Sequence, residues 1–503
     1  MENKLSSVFI YTAAVLVLLV IFGIIAPEAL ENVTASVQSF ISDSFGWYYL
    51  IIVTLFLIVC LYLLISPAGR IKLGRPDDTP EFSRPTWIAM LFSAGMGIGL
   101  VFYGSAEPIS HYAVSSPTGE TGTSQAIKDS LRFTFFHWGL HAWAIYGIVA
   151  LIIAYFTFRK GEPGLISATL RPIIGDRVNG TAGKLIDILA TLSTVFGVAT
   201  TLGFGAAQIN GGLTYLFGVP SNFWIQFIII VIVTALFLVS ALSGLGKGIK
   251  ILSNTNMILA VLLLALTFMF GPSLFILNLF TDSIGSYLQF LPNMSFRLAP
   301  FNEENRAWIN AWTIFYWAWW IAWSPFVGIF IARVSRGRSI REFVFSVLLI
   351  PSIIGFFWFS TFGGTAISLE SNEASSISKL ALEELLFGVF DHLSFGMAMS
   401  ILAIILVVTF FITSADSGTY VLAMMTTNGS PNPANRIKVI WGILLTSTAL
   451  VLLYSGGLAA LQNAMIVAAL PFSAIMILMT VSLLKALNKE VKDMNRHLHP
   501  KRK

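Results

Sequence analysis

The residues best suited to bind a ligand are tryptophans in the stretch 312–341. This stretch is apolar over a membrane-spanning length, and it carries Trp312, Trp317, Trp319, Trp320 and Trp323. Residues three apart share a helix face, so Trp320 and Trp323 point the same way, with Trp319 beside them. Tryptophan has the most favourable aromatic face for a cation, and cages of such faces bind quaternary ammonium groups. An interfacial aromatic belt is the alternative, but these residues lie in the middle third of the stretch.

A second stretch, FSAGMGIGLVFYGSAEP at 92–108, has glycine at the alternate positions Gly95, Gly97 and Gly99. Glycines in a membrane helix either let two helices pack closely, or let the helix break so that backbone groups meet a ligand. Close packing usually uses small residues separated by three others, which is not the spacing here. The pattern therefore favours a broken helix, a common way to build a site in secondary transporters.

The stretch FFHWGLHAWAIYG places Trp138, Trp143 and Tyr146 on one side of a helix, where all three can contribute to one site. His137 and His141 are spaced as metal ligands on a helix can be, but the sequence has no nearby cysteine or carboxylate to complete a metal site. We interpret them as hydrogen-bonding core histidines, with a proton relay as the minor alternative.

Hydroxyl groups concentrate in FFITSADSGTY, which places Thr413, Ser414, Asp416 and Ser417 in an otherwise apolar helix. Oxygen dipoles of this kind can replace the water around a hard monovalent cation. A carboxylate inside a membrane is costly, so Asp416 is either functional or tightly paired. A hydrogen-bonded contact between two helices is the structural alternative.

The composition places these stretches in a membrane. Of the 503 residues, 56% are hydrophobic and 11% are charged, and the mean hydropathy is +0.80. Apolar runs of about 20 residues recur, which predicts an all-α polytopic membrane protein. The net charge of +5 is not gathered into a basic block, which argues against a nucleic-acid partner. The single cysteine, Cys60, excludes an intrachain disulfide.

Twelve transmembrane helices are predicted, at 8–27, 47–66, 86–112, 130–158, 185–207, 221–242, 252–278, 307–333, 343–367, 395–425, 437–455 and 459–484. With a cytoplasmic N-terminus, all but five of the 30 lysines and arginines fall on the cytoplasmic side. No soluble domain interrupts the series, so residues 1–503 are expected to form one transporter domain. Its parts are two N-terminal helices with a cytoplasmic loop (1–85), a first repeat (86–280), an external surface segment (281–306), a second repeat (307–484) and a basic cytoplasmic tail (485–503).

The spans with functional chemistry recur five spans apart. The third and the eighth are both expected to be interrupted, the eighth at Pro325 and Gly328, while the fifth and the tenth both carry hydroxyl residues. A five-span unit that repeats once reverses its orientation, because five is odd. This predicts a LeuT-like 5+5 inverted repeat, spans 3–7 and 8–12, preceded by two extra helices.

These motifs resemble the betaine/carnitine/choline transporter family over nearly the whole chain. The most specific matches are GMGIG at 95–99 followed by FYGSAEP, HWGLHAWAIY at 137–146, FYWAWWIAWSPFVG at 315–328 and TSADSG at 413–418. The resemblance implies an aromatic box for a trimethylammonium group, formed by Trp138, Trp143, Tyr146 and Trp320 with Trp323 close by. It also implies that the backbone around Met96, Gly97 and Gly99 meets the substrate carboxylate.

The resemblance further implies sodium as the coupling ion. The implied sodium site matches Ser93, Met96, Phe410, Thr413 and Ser414. A second sodium site is implied at Thr194 and Phe326, although Val198 stands where a further threonine is expected. Choline-selective relatives tend to carry an acidic residue at the position of Gly99, so its absence favours a zwitterionic substrate.

We therefore expect a secondary active symporter that imports glycine betaine with sodium for osmoprotection, in the cell membrane with both termini cytoplasmic. No cofactor is expected beyond sodium as coupling ion. The alternative is a choline or carnitine transporter or antiporter, either sodium-independent or proton-coupled.

Two other classes of protein do not fit the sequence. An intramembrane enzyme would need a nucleophile–base pair or a metal cluster, and a channel would need a repeated pore-lining pattern; the sequence shows none of these. The basic tail could touch anionic lipid, and relatives imply a homotrimer.

Overall fold

The computed structural model describes residues 6–95, 97–242, 246–372 and 376–498. Within these ranges the chain is helical almost throughout, and β-structure is limited to one isolated bridge between Lys72 and Ser339. The α-helices are α1 (Ser7–Ile25), α2 (Pro27–Ile65), α3 (Arg84–Gly95), α4 (Ile98–Ile109), α5 (Ser124–Trp138), α6 (Leu140–Ala154), α7 (Arg171–Ile174), α8 (Thr181–Phe217), α9 (Phe223–Leu242), α10 (Gly246–Phe270), α11 (Ser273–Ser295), α12 (Glu303–Ile309), α13 (Phe315–Val334), α14 (Ile340–Ser371), α15 (Leu385–Asp391), α16 (Gly396–Met425) and α17 (Asn435–Leu498). Short π-helical turns lie at Ser110–Val114, Tyr155–Arg159 and Asn310–Ile314.

Eleven helical segments in the described ranges are long and apolar enough to cross a membrane. Helices suit this environment because their backbone polar groups bond within the segment and need no water. The segment Ser124–Arg159, which contains α5 and α6, is buried almost completely, whereas α1 and α9 expose most of their apolar side chains. A buried centre with apolar helices around it is the arrangement of a polytopic membrane protein. The predicted all-α membrane fold is therefore confirmed.

The predicted break in the third span is present. α3 ends at Gly95 and α4 begins at Ile98, with Gly97 between them in an extended conformation (φ −165°, ψ −176°). Each half has 12 residues, whereas crossing the membrane takes about 20. The break leaves the start of α4 inside the protein, where every residue of α4 is buried. Met96 lies outside the described residues.

The predicted interruption of the eighth span is wrong, because α13 continues through Pro325 and Gly328. A proline in a helix leaves the carbonyl four residues earlier, here that of Ile321, without its backbone donor. The Ser324 hydroxyl donates to this carbonyl at 2.8 Å and so replaces the missing bond. Gly328 serves close packing, since a Cβ at this position would lie 2.8 Å from Val149 Cγ1 on α6.

The boundary between the eleventh and twelfth spans agrees with the prediction, whereas the end of the seventh does not. The backbone of α17 is non-helical at Gly456 and Gly457, which lie between the predicted spans 437–455 and 459–484. The predicted seventh span ends early, at Phe270, and Pro272 directly precedes α11. α11 is itself one of the eleven candidate spans, although residues from 281 onward were predicted to be a surface segment. The order of twelve spans in an inverted repeat stays a prediction.

Several helices meet around the break at Gly97. α13 packs along α6 and α8, and α4 packs against α8 and α14. Trp358 on α14 donates its Nε1–H to the Leu100 carbonyl of α4 at 2.9 Å, which attaches the start of α4 to the helix behind it. These contacts hold the broken end of α4 close to the aromatic side chains of α6 and α13.

Candidate binding site

A cavity lies at the break between α3 and α4 and is bounded by α4, α5, α6, α8 and α13. Its lining consists of Gly97, Ile98, Gly99, Leu100, Trp138, Ala142, Trp143, Tyr146, Thr201, Trp319, Trp320 and Trp323. All the residues predicted to bind substrate are in this lining except Met96, which lies outside the described residues. Four separate sequence stretches therefore form one cavity, and three of them contain the predicted substrate-binding residues.

The rings of the aromatic box meet nearly edge to face. The ring centroids of Trp138 and Trp320 are 4.8 Å apart with an interplanar angle of 69°, and those of Tyr146 and Trp320 are 5.9 Å apart at 69°. Trp143 lies 5.5 Å from Tyr146 at 71°. All four are at most 8% exposed. Rings at these angles turn their faces in different directions, which is what a cage around one cation requires.

Hydrogen bonds hold three of the cavity tryptophans in place. Trp320 donates its Nε1–H to the His137 carbonyl at 2.9 Å, and Trp323 donates to the Gly197 carbonyl at 2.8 Å. Trp138 donates to the Glu107 carboxylate at 2.7 Å. Because these N–H groups are used within the protein, the three rings offer the cavity their π surfaces.

Trp319 also lines the cavity, although the predicted aromatic box does not include it. It stacks on Trp320 with 5.1 Å between ring centroids and 10° between planes. A Cβ at Gly99 would lie 2.7 Å from the Trp319 ring, so glycine at this position lets α4 approach the stack. At Gly97, by contrast, an added Cβ would have nothing within 4 Å. The two glycines therefore serve different purposes: Gly99 permits packing and Gly97 leaves space at the break.

The polar end of the cavity is the start of α4. Gly97 is the N-cap residue of this helix, and the N–H groups of Leu100 and Val101 both reach its carbonyl. The N–H groups of Ile98 and Gly99 belong to the first helical turn, which has no internal acceptors for them. Free N–H groups and the helix dipole together favour an anionic group. The cavity thus combines π surfaces with the N-terminus of a helix.

A buried carboxylate behind the box was missed by the sequence reasoning. Glu107 Oε1 lies 2.6 Å from His137 Nδ1, so the interpretation that no carboxylate stands near His137 is wrong. The two residues are 30 positions apart in the chain and adjacent in space. His141 is separate and contacts the Ser295 hydroxyl at 3.0 Å, as a core histidine would. The available signal was Glu107 itself, because a carboxylate within a membrane span is a functional candidate.

His111 completes a cluster with Glu107 and His137. One ligand atom of each residue lies within 4.8 Å of the others, and two histidines with one carboxylate can hold a transition metal. In the structure the carboxylate contacts both rings directly, His137 Nδ1 at 2.6 Å and His111 Nε2 at 3.3 Å. The geometry is therefore that of a hydrogen-bonded cluster.

The hydroxyl residues of α16 lie next to polar groups of neighbouring helices. Thr413 donates to the Phe410 carbonyl at 3.1 Å and accepts from Asn256 Nδ2 at 3.0 Å. Asn256 belongs to α10 and was missed by the sequence reasoning, although an amide in an apolar span is itself a signal. Asp416 accepts a hydrogen bond from Ser240 at 3.0 Å, in agreement with the paired alternative.

The remaining described residues of the predicted sodium site lie on two helices, α16 and α3. Phe410 is buried on α16, while Ser414 on α16 and Ser93 on α3 are half-buried. In the part of the chain that the structure describes, no hydrogen bond links Ser93 to Thr413 or Ser414. Met96 lies outside that part. The convergence of α3 and α16 on an ion stays a prediction.

The predicted second sodium site lies where α8 approaches α13. The Thr194 hydroxyl donates to the Ala190 carbonyl of its own helix at 2.8 Å. Phe326 packs edge-on against Trp323, with 5.1 Å between ring centroids. Val198, at the position where a threonine is expected, would lie 3.2 Å from a Cβ added at Gly418 of α16. This second site also stays a prediction.

A helical membrane protein with an aromatic cavity beside a broken helix has the architecture of a secondary transporter. A family model described as "BCCT, betaine/carnitine/choline family transporter" matches residues 7–492. The chain therefore belongs to the betaine/carnitine/choline transporter family, whose members are transporters and not enzymes.

Individual relatives match over nearly their whole length. The chain is 62% identical over 496 residues to the glycine betaine transporter OpuD of Bacillus subtilis (strain 168), which covers 99% of this chain and 97% of that protein. It is 44% identical over 495 residues to a probable glycine betaine transporter of Desulfitobacterium hafniense (strain Y51), with 97% and 99% covered. It is also 44% identical over 486 residues to an ectoine/hydroxyectoine transporter of Virgibacillus pantothenticus, with 96% of each covered.

Proposed function

We propose that this chain is a secondary active symporter that imports glycine betaine together with sodium ions. The observation that carries the proposal is the cavity in which the box aromatics stand beside the start of α4 at Gly97. A trimethylammonium group has no N–H donor, so π faces are the groups best able to bind it. A carboxylate is favoured at the start of a helix. The cavity therefore suits a ligand that carries both groups.

Glycine betaine is such a ligand, because a single methylene joins its trimethylammonium group to its carboxylate. Choline has the ammonium group but no carboxylate, and would leave the N–H groups of Ile98 and Gly99 without an anionic partner. The names of the Bacillus and Desulfitobacterium relatives support the same choice. Betaine is therefore preferred over choline as the substrate.

Sodium coupling is proposed from the oxygen atoms near the break. Thr413 and Ser414 on α16 and Ser93 at the end of α3 carry hydroxyl groups, and Asn256 adds an amide beside Thr413. Oxygen dipoles are the ligands that a sodium ion takes in place of water. An ion bound between α3 and α16 would join the two repeats, so that ion binding favours closure over the substrate.

In this proposal the chain acts in the cell membrane with both termini cytoplasmic, and accumulation of betaine provides osmoprotection. The tail 485–503 is basic and would face anionic lipid on the cytoplasmic side. A homotrimer is the proposed assembly.

Uptake by the purified protein in lipid vesicles tests the proposal. Labelled betaine is offered to vesicles with an inward sodium gradient, with a potassium gradient of the same size, or with sodium and an ionophore that dissipates the gradient. We expect accumulation above the external concentration only with the intact sodium gradient. A Trp224→Leu variant serves as control, because Trp224 is 66% exposed on α9 and its loss should not affect uptake.

The same vesicles separate the alternatives. Unlabelled choline, carnitine and ectoine are added as competitors, and each is then tested as a labelled substrate. Preferential transport of choline or carnitine without a sodium requirement would replace the proposal with the sodium-independent carrier. Betaine that equilibrates but never accumulates would indicate a channel.

A further inference from the structure

We propose that Glu107 is a positioning residue of the aromatic box and supplies it with a buried negative charge. The inference rests on the proposed binding of a quaternary ammonium group in the cavity. It adds a residue outside the cavity lining that determines how strongly the box attracts a cation.

Glu107 has four hydrogen-bonding partners in a place where none of its surface is exposed. Oε2 accepts from Trp138 Nε1 at 2.7 Å and from the Tyr316 hydroxyl at 2.5 Å. Oε1 lies 2.6 Å from His137 Nδ1 and 3.3 Å from His111 Nε2. Oε2 accepts both of its hydrogen bonds, and the histidine tautomers that donate to Oε1 leave the group an acceptor at both oxygens, which is its ionised form. In this proposal those tautomers are present, and a carboxylate lies directly behind the box.

The histidines keep this carboxylate in place. His137 Nε2 also contacts the Thr313 hydroxyl at 3.0 Å, so its ring is held at both nitrogens. His111 and Thr313 both lie in π-helical turns, Ser110–Val114 and Asn310–Ile314. Such turns are rare and frequently lie at functional sites. Two irregular backbone segments thus support one carboxylate.

Two of the donors carry the effect of the charge to the cavity. Trp138 lines the cavity itself. Tyr316 forms a layer behind the lining, because its ring stacks on Trp320 at 5.6 Å and 23° and on Trp319 at 6.1 Å and 19°. A donor bonded to an anion becomes more electron-rich, which strengthens the attraction of its π face for a cation. The carboxylate also attracts the cation directly through a medium of low polarity.

An electrostatic role of Glu107 and a purely structural role predict different effects on ligand binding. If Glu107 only shaped the cavity, removing its charge would weaken every ligand of the same shape equally. If its charge acts on the ligand, removing the charge should lower the affinity mainly for a ligand with a cationic group. The carbon analogue of betaine, 3,3-dimethylbutanoate, has the same shape and carboxylate but a neutral tert-butyl group, so it separates the two roles.

The test compares Glu107→Gln with wild type in binding of both ligands. Purified protein in detergent with sodium is titrated calorimetrically with betaine and with 3,3-dimethylbutanoate. We expect Glu107→Gln to weaken betaine about tenfold and the analogue by less than about twofold. The matched control is Asp187→Asn, because Asp187 on α8 is also a buried carboxylate and accepts hydrogen bonds from the backbone N–H and the hydroxyl of Ser167. We expect Asp187→Asn to leave betaine binding as in wild type.

Other outcomes would contradict either the role of Glu107 or the proposed function, and the measurements distinguish these two cases. Equal weakening of both ligands, or unchanged betaine binding, would overturn the role of Glu107. Betaine binding that requires added zinc and is lost with a chelator would overturn it in favour of a metal site. Wild type that binds no betaine would overturn the proposed function instead.

A second variant carries the test where Glu107→Gln is not recovered folded, or where the analogue binds wild type too weakly to measure. Tyr316→Phe keeps the stacked ring and removes only the donor to Glu107. We expect betaine to bind about threefold more weakly to it. Betaine affinity equal to wild type would contradict the role of the carboxylate.

Discussion

The third and the eighth spans both contain helix-breaking residues, and only the third is broken. At the third, Gly97 adopts an extended conformation between α3 and α4. At the eighth, α13 continues through Pro325 and Gly328. A Cβ added at Gly97 would meet nothing within 4 Å, whereas one added at Gly328 would lie 2.8 Å from Val149 Cγ1. Glycine thus has opposite surroundings in the two spans.

The difference shows that a residue which permits a break does not by itself produce one. Pro325 removes one backbone hydrogen bond, but the hydroxyl of the preceding Ser324 donates a hydrogen bond to the Ile321 carbonyl that is left without its backbone donor. At the start of α4, no side chain caps the helix. The N–H groups there remain available for a ligand. A helix therefore stays continuous where the protein itself compensates the lost bond.

The strongest test of this comparison is Gly97→Val. The extended backbone at Gly97 accepts any residue, and the added side chain would project into open space at the break. We therefore expect folded protein in normal yield and no measurable betaine uptake. Fluorescence size-exclusion chromatography measures yield, and vesicle uptake measures transport.

Gly328→Val is the matched control for that substitution. Its side chain would collide with α6, so we expect a loss of folded protein in place of a selective loss of transport. Normal uptake by Gly97→Val would show that the break does not face the substrate.

The next largest effect is expected in the box that faces the break. Trp320→Leu keeps an apolar side chain and removes the aromatic face and the Nε1 hydrogen bond to the His137 carbonyl. We expect betaine binding to weaken by about 1–2 kcal/mol, roughly tenfold or somewhat more. Titration of betaine with the purified variant measures this, with Trp320→Phe as a milder comparison. Unchanged affinity would place the ammonium group elsewhere.

Ser414→Ala tests whether the hydroxyls of α16 act with the break. If Ser414 binds sodium, the sodium concentration for half-maximal uptake should rise several-fold, while betaine affinity at saturating sodium changes little. If Ser414 only stabilises a contact between helices, yield should fall and the sodium dependence should stay the same. Sodium titrations of uptake, normalised to protein in the vesicles, decide between these results. Superimposable curves would falsify the sodium assignment.

The smallest effect is expected from Ser324→Ala, which tests why α13 is continuous. Without the hydroxyl, the Ile321 carbonyl has no donor, and we expect a loss of about 1 kcal/mol in stability. Ser352→Ala is the control, because the Ser352 hydroxyl donates to Leu348, a carbonyl that the helix already satisfies through its backbone. Thermal unfolding in detergent measures both. Equal shifts in the unfolding temperature of the two variants would show that the Ser324 hydroxyl has no special role.

Much of the candidate site was predictable because its parts are local. Trp143 and Tyr146 both lie on α6, and Trp320 and Trp323 share a face of α13. The single helix predicted for Trp138, Trp143 and Tyr146 is wrong, because the non-helical Gly139 separates Trp138, the last residue of α5, from α6. The glycine spacing in GMGIG predicted the break between α3 and α4 correctly. The same reasoning failed at Pro325. There the Ser324 hydroxyl replaces the missing hydrogen bond to the Ile321 carbonyl, and residue types alone do not specify the orientation of that hydroxyl.

The amino-acid sequence by itself determined the class of protein and the types of residue available for binding. A composition dominated by apolar runs requires helices that cross a membrane, because only hydrogen bonds within a segment satisfy the backbone there. Only the tertiary structure decided which side chains meet. Glu107 and Tyr316 are 209 positions apart, yet their side chains share a hydrogen bond behind the box. A pattern within one helix specifies which face a residue occupies, whereas the partner on that face is set by how whole helices pack.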